Sequence, residues 1–550
     1  MARARPALLS AAAQGLLTLA IPRCQGCSFI VANFNLTTHD ESSALAVANW
    51  YNRRRGPDAT RHRVHKGWSF VHNLLSMTGT FTTQPFVETT GDVVAVFNGE
   101  IYNYQELATR LEQPPFASDG HAILPAYARW GAGFVHRLHG EFAIVLVDFK
   151  RRHVVLSADV FGTKPLYYAR TTSGDFLAAS YRSVLAALLP RAEVSRIQAA
   201  VPNEALVLGM DGTVHSRRTL FTFDLRQHKQ HTNDWEAAFL KAVRVRTANI
   251  KHRIFIGMSS GYDSGAIALA LHQQGTKFMS YTVTANENVT GVIAQRERHF
   301  ARTGEGVHLT TPHHALFKSG RWLLNRCEPA SLSQNRAGFD MPCLDRAAWA
   351  LSIILSHSRS LGGLIYLSGS GADEIISDYV DARGHAHAGG CFKGVFPANL
   401  STIFPWCNFY QGSQRQYLMK EEFTSGTHGV EGRYPFLDPH VVQEFLWLSR
   451  EVKNSEYKRP LADFMRKHGF PFETGIKRGW APDSGGRGHL ATVQLSNGSH
   501  HVLPLANVSL DDTEVCPVPV RTVKFKYFAW DVCGPRASML PSNPPAAALA

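Results

Sequence analysis

The amino-acid sequence predicts a chain of two unlike halves, an α+β first half dominated by short strands and an α/β second half built on a parallel sheet. Three observations predict this. At 550 residues the chain exceeds what one ordinary core organises, since a domain takes up roughly 150 residues. From residue 27 onward, short runs rich in β-branched and aromatic residues alternate with Gly, Asn and Asp turns. Beyond Trp235 the order becomes helix, strand, glycine loop, helix and strand, the spacing of a βαβ unit.

Taken in order, strands are expected at 28–33, 92–97, 142–148 and 153–158, with helices at 123–130, behind Ser118 and Asp119, and at 183–189. Residues 211–235 are turn-rich and polar and read as a linker. A helix at 236–250 follows, then a strand at 253–258, a helix at 266–273 stopped by Gly275, and a second strand at 277–285. A further apolar strand, 363–367, opens directly into another glycine-rich loop, so two loops lie at the carboxyl ends of neighbouring strands, where α/β sheets bind ligands. Residues 481–550, rich in Gly, Ser, His and Pro, read as a poorly ordered low-complexity tail.

Composition narrows the partners. A hydrophobic content of 44% with 18% charged residues is that of a globular chain, and no run of about 18 apolar residues is present to span a bilayer. The net charge of +13 comes from scattered Lys and Arg without a long basic run, which disfavours nucleic acid and suits an anionic small substrate such as ATP. Eight cysteines, close-spaced only at Cys24 and Cys27, read as reduced thiols rather than a disulfide framework or a zinc site. In residues 1–26, Arg3, Arg5 and Arg23 flank an apolar stretch, and no acidic residue precedes Asp40. That composition suits a targeting segment, with a disordered leader or a misassigned start as alternatives. The expected location is cytoplasmic, or organellar if the segment is a transit peptide.

Two loops carry chemistry. In M-S-S-G-Y-D-S-G, 258–265, the small residues Ser259, Ser260, Gly261 and Ser264 let backbone N–H groups close around a phosphate at a helix N-terminus, while Asp263 can hold the cation that phosphates share. In L-S-G-S-G-A-D-E, 367–374, Ser368 and Gly369 make a second small-residue turn, followed by Asp373 and Glu374. Two aspartates from separate loops make a hard-cation site for Mg²⁺.

The first loop resembles the S-G-G-x-D-S pyrophosphate loop of ATP pyrophosphatases, and the second the G-x-G-[AS]-D-E loop of asparagine synthetases. G-V-E-G-R-Y-P-F-L-D, 429–438, is similar to that family's E-x-R-x-P-F-L-D segment, and K-R-G-W, 477–480, to its downstream lysine motif. In the first half, R-G-P-D (55–58), F-N-G-E-I-Y-N (97–103), S-D-G (118–120) and F-G-T-K-P-L-Y-Y (161–168) resemble the class II glutaminase domain fused to asparagine synthetases. The wording H-N-L-L and E-G-R-Y-P-F-L-D is especially like the asparagine-synthase-like amidotransferases of bacterial surface-polysaccharide pathways.

The resemblance implies an Ntn-hydrolase-like layered αββα sandwich over 27–210, then an ATP-pyrophosphatase (PP-loop) α/β domain over 236–480. It implies glutamine as nitrogen donor, ATP with Mg²⁺, and a small-molecule carboxylate as acceptor, with a homodimer left open. Cys27 matches the N-terminal nucleophile, whose own α-amine serves as base once residues 1–26 are gone; a thiol of pKa about 8.5 and an amine of about 8 suit this transfer. Asn98 and Gly99 correspond to the oxyanion hole, while Arg55, Asp119 and Glu100 would hold glutamine. Asp263 and Asp373 would carry magnesium, and Lys477 and Lys458 would neutralise charge on the leaving group. Glu431 and Arg433 would position the acceptor or line the ammonia path.

Ser260 stands where that family usually has glycine, Ser370 where an acidic residue is common, and Ala158, Asp159 and Val160 where R-D-R precedes F-G-x-K-P. These departures count against aspartate as acceptor, and the first reading is an amidotransferase acting on a carboxylate of a sugar or other metabolite. Asparagine synthetase itself and a catalytically impaired regulatory or binding homologue are the alternatives.

Overall fold

The computed structural model describes residues 27–36, 39–56, 58–284, 287–311, 313–329, 346–380 and 390–475, together with strands at 491–495, 500–503, 520–524 and 529–533. In the first half, one six-stranded antiparallel sheet has the order β10-β8-β9-β1-β3-β2, formed by Gln198–Ala199, Tyr167–Arg170, Phe176–Ala179, Ser28–Ala32, Trp68–Leu74 and Ala59–His65. The other has the order β12-β11-β7-β6-β5-β4, formed by Val214–Thr219, Glu204–Gly209, His153–Ala158, Gly140–Asp148, Val93–Ile101 and Phe86–Val87.

Strand alternation builds the layers. Phe29 and Val31 of β1 point into a core shared with Val94, Val96, Val145 and Val147 of the second sheet. Ile30 and Ala32 point the opposite way, toward Tyr51 and Val184 on helices. On the far side of the second sheet, Ala95 and Phe97 meet Ile123 and Ala126 of the helix Ile123–Trp130. A period of two residues therefore gives each sheet two apolar faces, and the product is an αββα sandwich. Strand β12 lies within the stretch expected as a linker.

The second half centres on a parallel sheet with the order β17-β16-β13-β14-β15, formed by Glu431–Arg433, Gly363–Leu367, Arg253–Gly257, Phe278–Val283 and Gly304–Thr310. The helix after β13 begins at Tyr262, earlier than the apolar pattern predicts, because Gly261 in extended backbone already starts its first turn. From Ala266 to Leu271 every residue of it is buried, so it is a central helix. The supposed tail also contributes structure: β18 (Ala491–Leu495) pairs antiparallel with the edge strand β15, and β19 (His500–Leu503) pairs with β18. An edge strand's unpaired N–H and C=O groups recruit such a hairpin whatever its composition.

The cysteines require a correction. Cys391 and Cys407 form a disulfide with Cα atoms 6.0 Å apart, and Cys327 is disulfide-bonded too. Only the fold brings these thiols together; their sequence spacing carries no pairing signal. No helix among the described residues is long and apolar enough to cross a membrane.

The halves are joined by buried charge. Glu422, on the helix Gly412–His428, accepts hydrogen bonds from Arg55 Nη2 at 2.7 Å, Lys164 Nζ at 2.8 Å and Tyr434 Oη at 2.8 Å. Burial pushes its carboxyl up, but Lys164 and Arg55 outweigh burial and hold it below the usual range. A second cluster sets Arg246 between Glu141 at 2.7 Å and Asp438 at 2.9 Å, with His139 on Asp438. Removing one member of such a network strands the others without counter-charge. Glu422→Ala should therefore lower stability by about 3–5 kcal/mol, read as a shift of the urea unfolding midpoint; an unmoved midpoint would mean the cluster is dispensable.

Candidate active sites

Cys27 lies at the start of β1. Its thiol donates to Leu75 O at 3.4 Å, and its sulfur accepts from Leu75 N–H at 3.2 Å. Burial pushes the thiol far up, and the carboxylates of Glu431, Asp119 and Glu100 add to the shift. Asn98, on β5, has a buried Nδ2 with no hydrogen-bond partner among the described residues. Gly99 beside it has φ +125°, and a Cβ there would lie 1.9 Å from Glu141 O, so only glycine fits.

Asp119 accepts from Ile101 N–H at 2.9 Å and from Ser118 Oγ at 3.2 Å. Burial, with Glu431 adding to it, pushes its carboxyl up to about 6. Glu100 is raised by burial and by Glu431 and Asp119, and it shares one guanidinium with Glu431: Arg433 is 3.3 Å from Glu100 and 2.7 Å from Glu431. Arg55 departs from expectation. Instead of facing a site for a carboxylate substrate, its Nη groups bind Glu422 while Nε donates to Cys27 O at 3.1 Å. A fixed internal carboxylate has captured the group, and Arg55 anchors the backbone of Cys27.

The second site forms where β13 and β16 end side by side. Ser264 Oγ receives Ser259 N–H at 3.0 Å, and Gly261 N–H donates to Ser259 Oγ at 3.1 Å. The two loops touch, since a Cβ on Gly369 would lie 3.0 Å from Asp263 Cβ. Asp263 and Asp373 converge on Lys458 Nζ at 2.5 and 2.8 Å. Burial pushes Lys458 down, but both aspartates outweigh it and keep it charged. Its backbone sits at φ +48°, a left-handed position that a non-glycine residue holds only when its surroundings demand it. Two carboxylates from different loops that already meet on a cation fit the oxygen-donor chemistry of Mg²⁺. Lys477 lies outside the described residues.

Strand β17 links the sites. Arg433 O accepts from Ser368 N–H at 2.9 Å in the second loop, while the Arg433 side chain reaches Glu100 in the first site. Glu431 thus lies with the first site's carboxylates, between the two centres. Ser368 Oγ donates to Glu421, whose carboxyl burial pushes up to about 7. Sequence reasoning missed Glu421, Glu422 and Lys164 as site residues. K-E-E-F within a polar helix reads as a solvated face, and Lys164 was visible only as a letter of F-G-T-K-P-L-Y-Y. Asp159, left from the altered A-D-V triplet, accepts from Phe161 and Thr163 N–H groups and shapes the turn that aims Lys164.

The glutamine amidotransferase domain family matches residues 27–222, and the asparagine synthase family matches residues 234–403. Asparagine synthetase [glutamine-hydrolyzing] 2 of Bacillus subtilis (strain 168) is 33% identical over 552 residues, covering 82% of this chain and 71% of that protein. Asparagine synthetase [glutamine-hydrolyzing] of Gallus gallus is 24% identical, covering 75% of this chain and 74% of that protein. A putative asparagine synthetase of Mycobacterium tuberculosis (strain ATCC 25618 / H37Rv) is 38% identical over 161 residues, 26% of this chain and 25% of that protein.

The half-buried thiol, ringed by carboxylates, should react accordingly. In the full chain, Cys27 should be alkylated slowly by iodoacetamide at neutral pH, with the rate still climbing above pH 9, where an ordinary thiol of pKa about 8.5 levels off. Peptide mass mapping of labelled Cys27 reads this, and a plateau below pH 9 would contradict a raised thiol.

Proposed function

The chain belongs to the glutamine-hydrolysing asparagine synthetase family, and from that premise we propose a glutamine-dependent, ATP-consuming amidotransferase that converts a carboxylate to an amide through an acyl-adenylate. The acceptor is a carboxylate of a sugar or other metabolite. What supports the reading is one arrangement: Asp263, Asp373 and Lys458 converge at the ends of β13 and β16, and β17 reaches from there to the carboxylates beside Cys27.

In the first site, the Cys27 sulfur attacks the side-chain amide of glutamine. Asn98 Nδ2 and the Gly99 backbone stabilise the oxyanion, ammonia leaves as the C–N bond breaks, and water then cleaves the thioester to release glutamate and restore the thiol. With the thiol so high, it needs a base within reach, and the α-amine of Cys27 supplies one when residues 1–26 are removed. Asp119 holds the amino group of glutamine, and Glu100 orients it. Since Arg55 is committed to Glu422, the carboxylate of glutamine is held by another group.

In the second site, loop 259–264 cradles the pyrophosphate and Ser368 and Gly369 contact the nucleotide. Mg²⁺, held by Asp263 and Asp373, would supply charge neutralisation for the triphosphate. Lys458 and Lys477 offset charge building on the leaving group. Ammonia must arrive unprotonated, and the buried cluster around Glu431 and Arg433 offers a water-poor way between the sites. Ser260, Ser370 and the A-D-V triplet favour an acceptor other than aspartate.

Carboxylates screened for glutamine-dependent AMP release should include at least one that is turned over; turnover of aspartate alone would make the chain an asparagine synthetase, and nucleotide binding without any turnover would make it an impaired homologue. Cys27→Ser should lose glutamine-dependent AMP release and keep the ammonia-dependent reaction, while Asp263→Asn and Asp373→Asn should lose both. The native chain should begin at Cys27 by mass spectrometry. Below about pH 6 Asp119 becomes neutral and loses its hold on the substrate ammonium, so kcat/KM for glutamine should fall as pH drops through that value. An equally steep fall in Asp119→Asn would assign the titration elsewhere.

A further inference from the structure

Beneath the pyrophosphate loop lies a charge that the proposed mechanism does not use. Arg296, on the helix Ala294–Phe300, is fully buried, and its bonds among the described residues go to no carboxylate. Nη1 donates to Ser259 O at 2.5 Å, Nη2 to Ser260 O at 3.3 Å and Nε to Pro471 O at 2.8 Å. Its guanidinium lies 5.4 Å from the centre of the Phe470 ring. Room for it depends on Gly265, where a Cβ would lie 2.6 Å from Nη2.

Two consecutive carbonyls pinned to one guanidinium dictate where the following N–H groups go. Across a planar trans peptide, C=O and N–H point to opposite sides. Tying Ser259 O and Ser260 O beneath the loop therefore turns the N–H groups of Ser260 and Gly261 to its other face. An anion already sits there: Glu287 Oε2 accepts from Ser260 N–H at 2.6 Å and from Ser260 Oγ at 2.5 Å. A carboxylate oxygen held by a backbone N–H and a hydroxyl at the head of a helix occupies the place a phosphate oxygen takes in such loops.

We propose that Arg296 is a positioning residue that fixes the polarity of the pyrophosphate loop, and that Glu287 is an internal anion which phosphate must displace to bind. The inference rests on the reading of this loop as the ATP site. Ser260, which departs from the usual glycine, gains a role here, because its hydroxyl is half of the grip on Glu287 and returns to the phosphate when the carboxylate leaves. The buried cation has a second effect, adding a field favourable to polyanions directly under the loop. Desolvation depresses the Arg296 guanidinium to about 10, against the opposing pull of Glu287, Glu473 and Asp263.

The two residues act with opposite signs, which a merely structural role does not produce. Titration of the full chain with MgATP, and separately with inorganic pyrophosphate, by isothermal calorimetry reads both. Loss of charged hydrogen bonds in Arg296→Met should weaken binding about tenfold or more, with Arg296→Lys between it and the wild type. Glu287→Gln, which keeps the shape and removes the competing charge, should bind several-fold more tightly. Wild-type binding with Arg296→Met unchanged, or with Glu287→Gln unchanged or weaker, overturns the inference alone. Should Arg296→Met fail to fold, Glu287→Gln decides it. Failure of the wild type to bind either probe overturns the ATP-site reading and this inference together.

Discussion

A single buried carboxylate holds the two halves of this enzyme in register. Glu422 is fully enclosed, so its charge survives only because Arg55 and Lys164, both from the glutaminase half, and Tyr434, from the synthetase half, meet it at hydrogen-bonding distance. A charge in a low-dielectric interior with three fitted partners tolerates little displacement of any of them. The position of Arg55 then fixes the backbone of Cys27, and the position of Tyr434 fixes the strand that separates the two centres. Arg55 thus ties the backbone of Cys27 to the carboxylate of Glu422.

The synthetase centre depends on a simpler constraint, the parallel pairing of β13 with β16. Their ends lie together, so both loops open on the same crevice, and the close approach at Gly369 brings Asp263 and Asp373 to one cation. Helix starts, loop glycines and the left-handed backbone of Lys458 serve that convergence.

Much of this was legible in the sequence. The helix Ile123–Trp130 and the strand Gly363–Leu367 appear at the expected residues, because each is bounded by its own local signals. The glycine loops were legible for the same reason, and their strand-to-helix setting named Asp263 and Asp373. What was not legible depends on distant partners. Arg55 sits in a motif that resembles a substrate-binding one, and only the packing of a helix more than 350 residues later in the chain redirects it. Glu421, Glu422 and Arg296 lie in polar helices whose composition is that of solvated faces, and burial is a property of the fold rather than of K-E-E-F or R-E-R-H-F. The Cys391–Cys407 bridge and the strand pairing of residues 491–503 are long-range in the same way, set by proximity and by an open sheet edge.

Glu421 and Glu422 are neighbours on one helix, yet each serves a different centre: the first takes the hydroxyl of Ser368 in the loop after β16, the second takes the arginine that anchors Cys27. A rigid helix cannot shift one of these contacts without shifting the other. The segment Gly412–His428 is therefore a common axle, and what displaces one centre displaces the other.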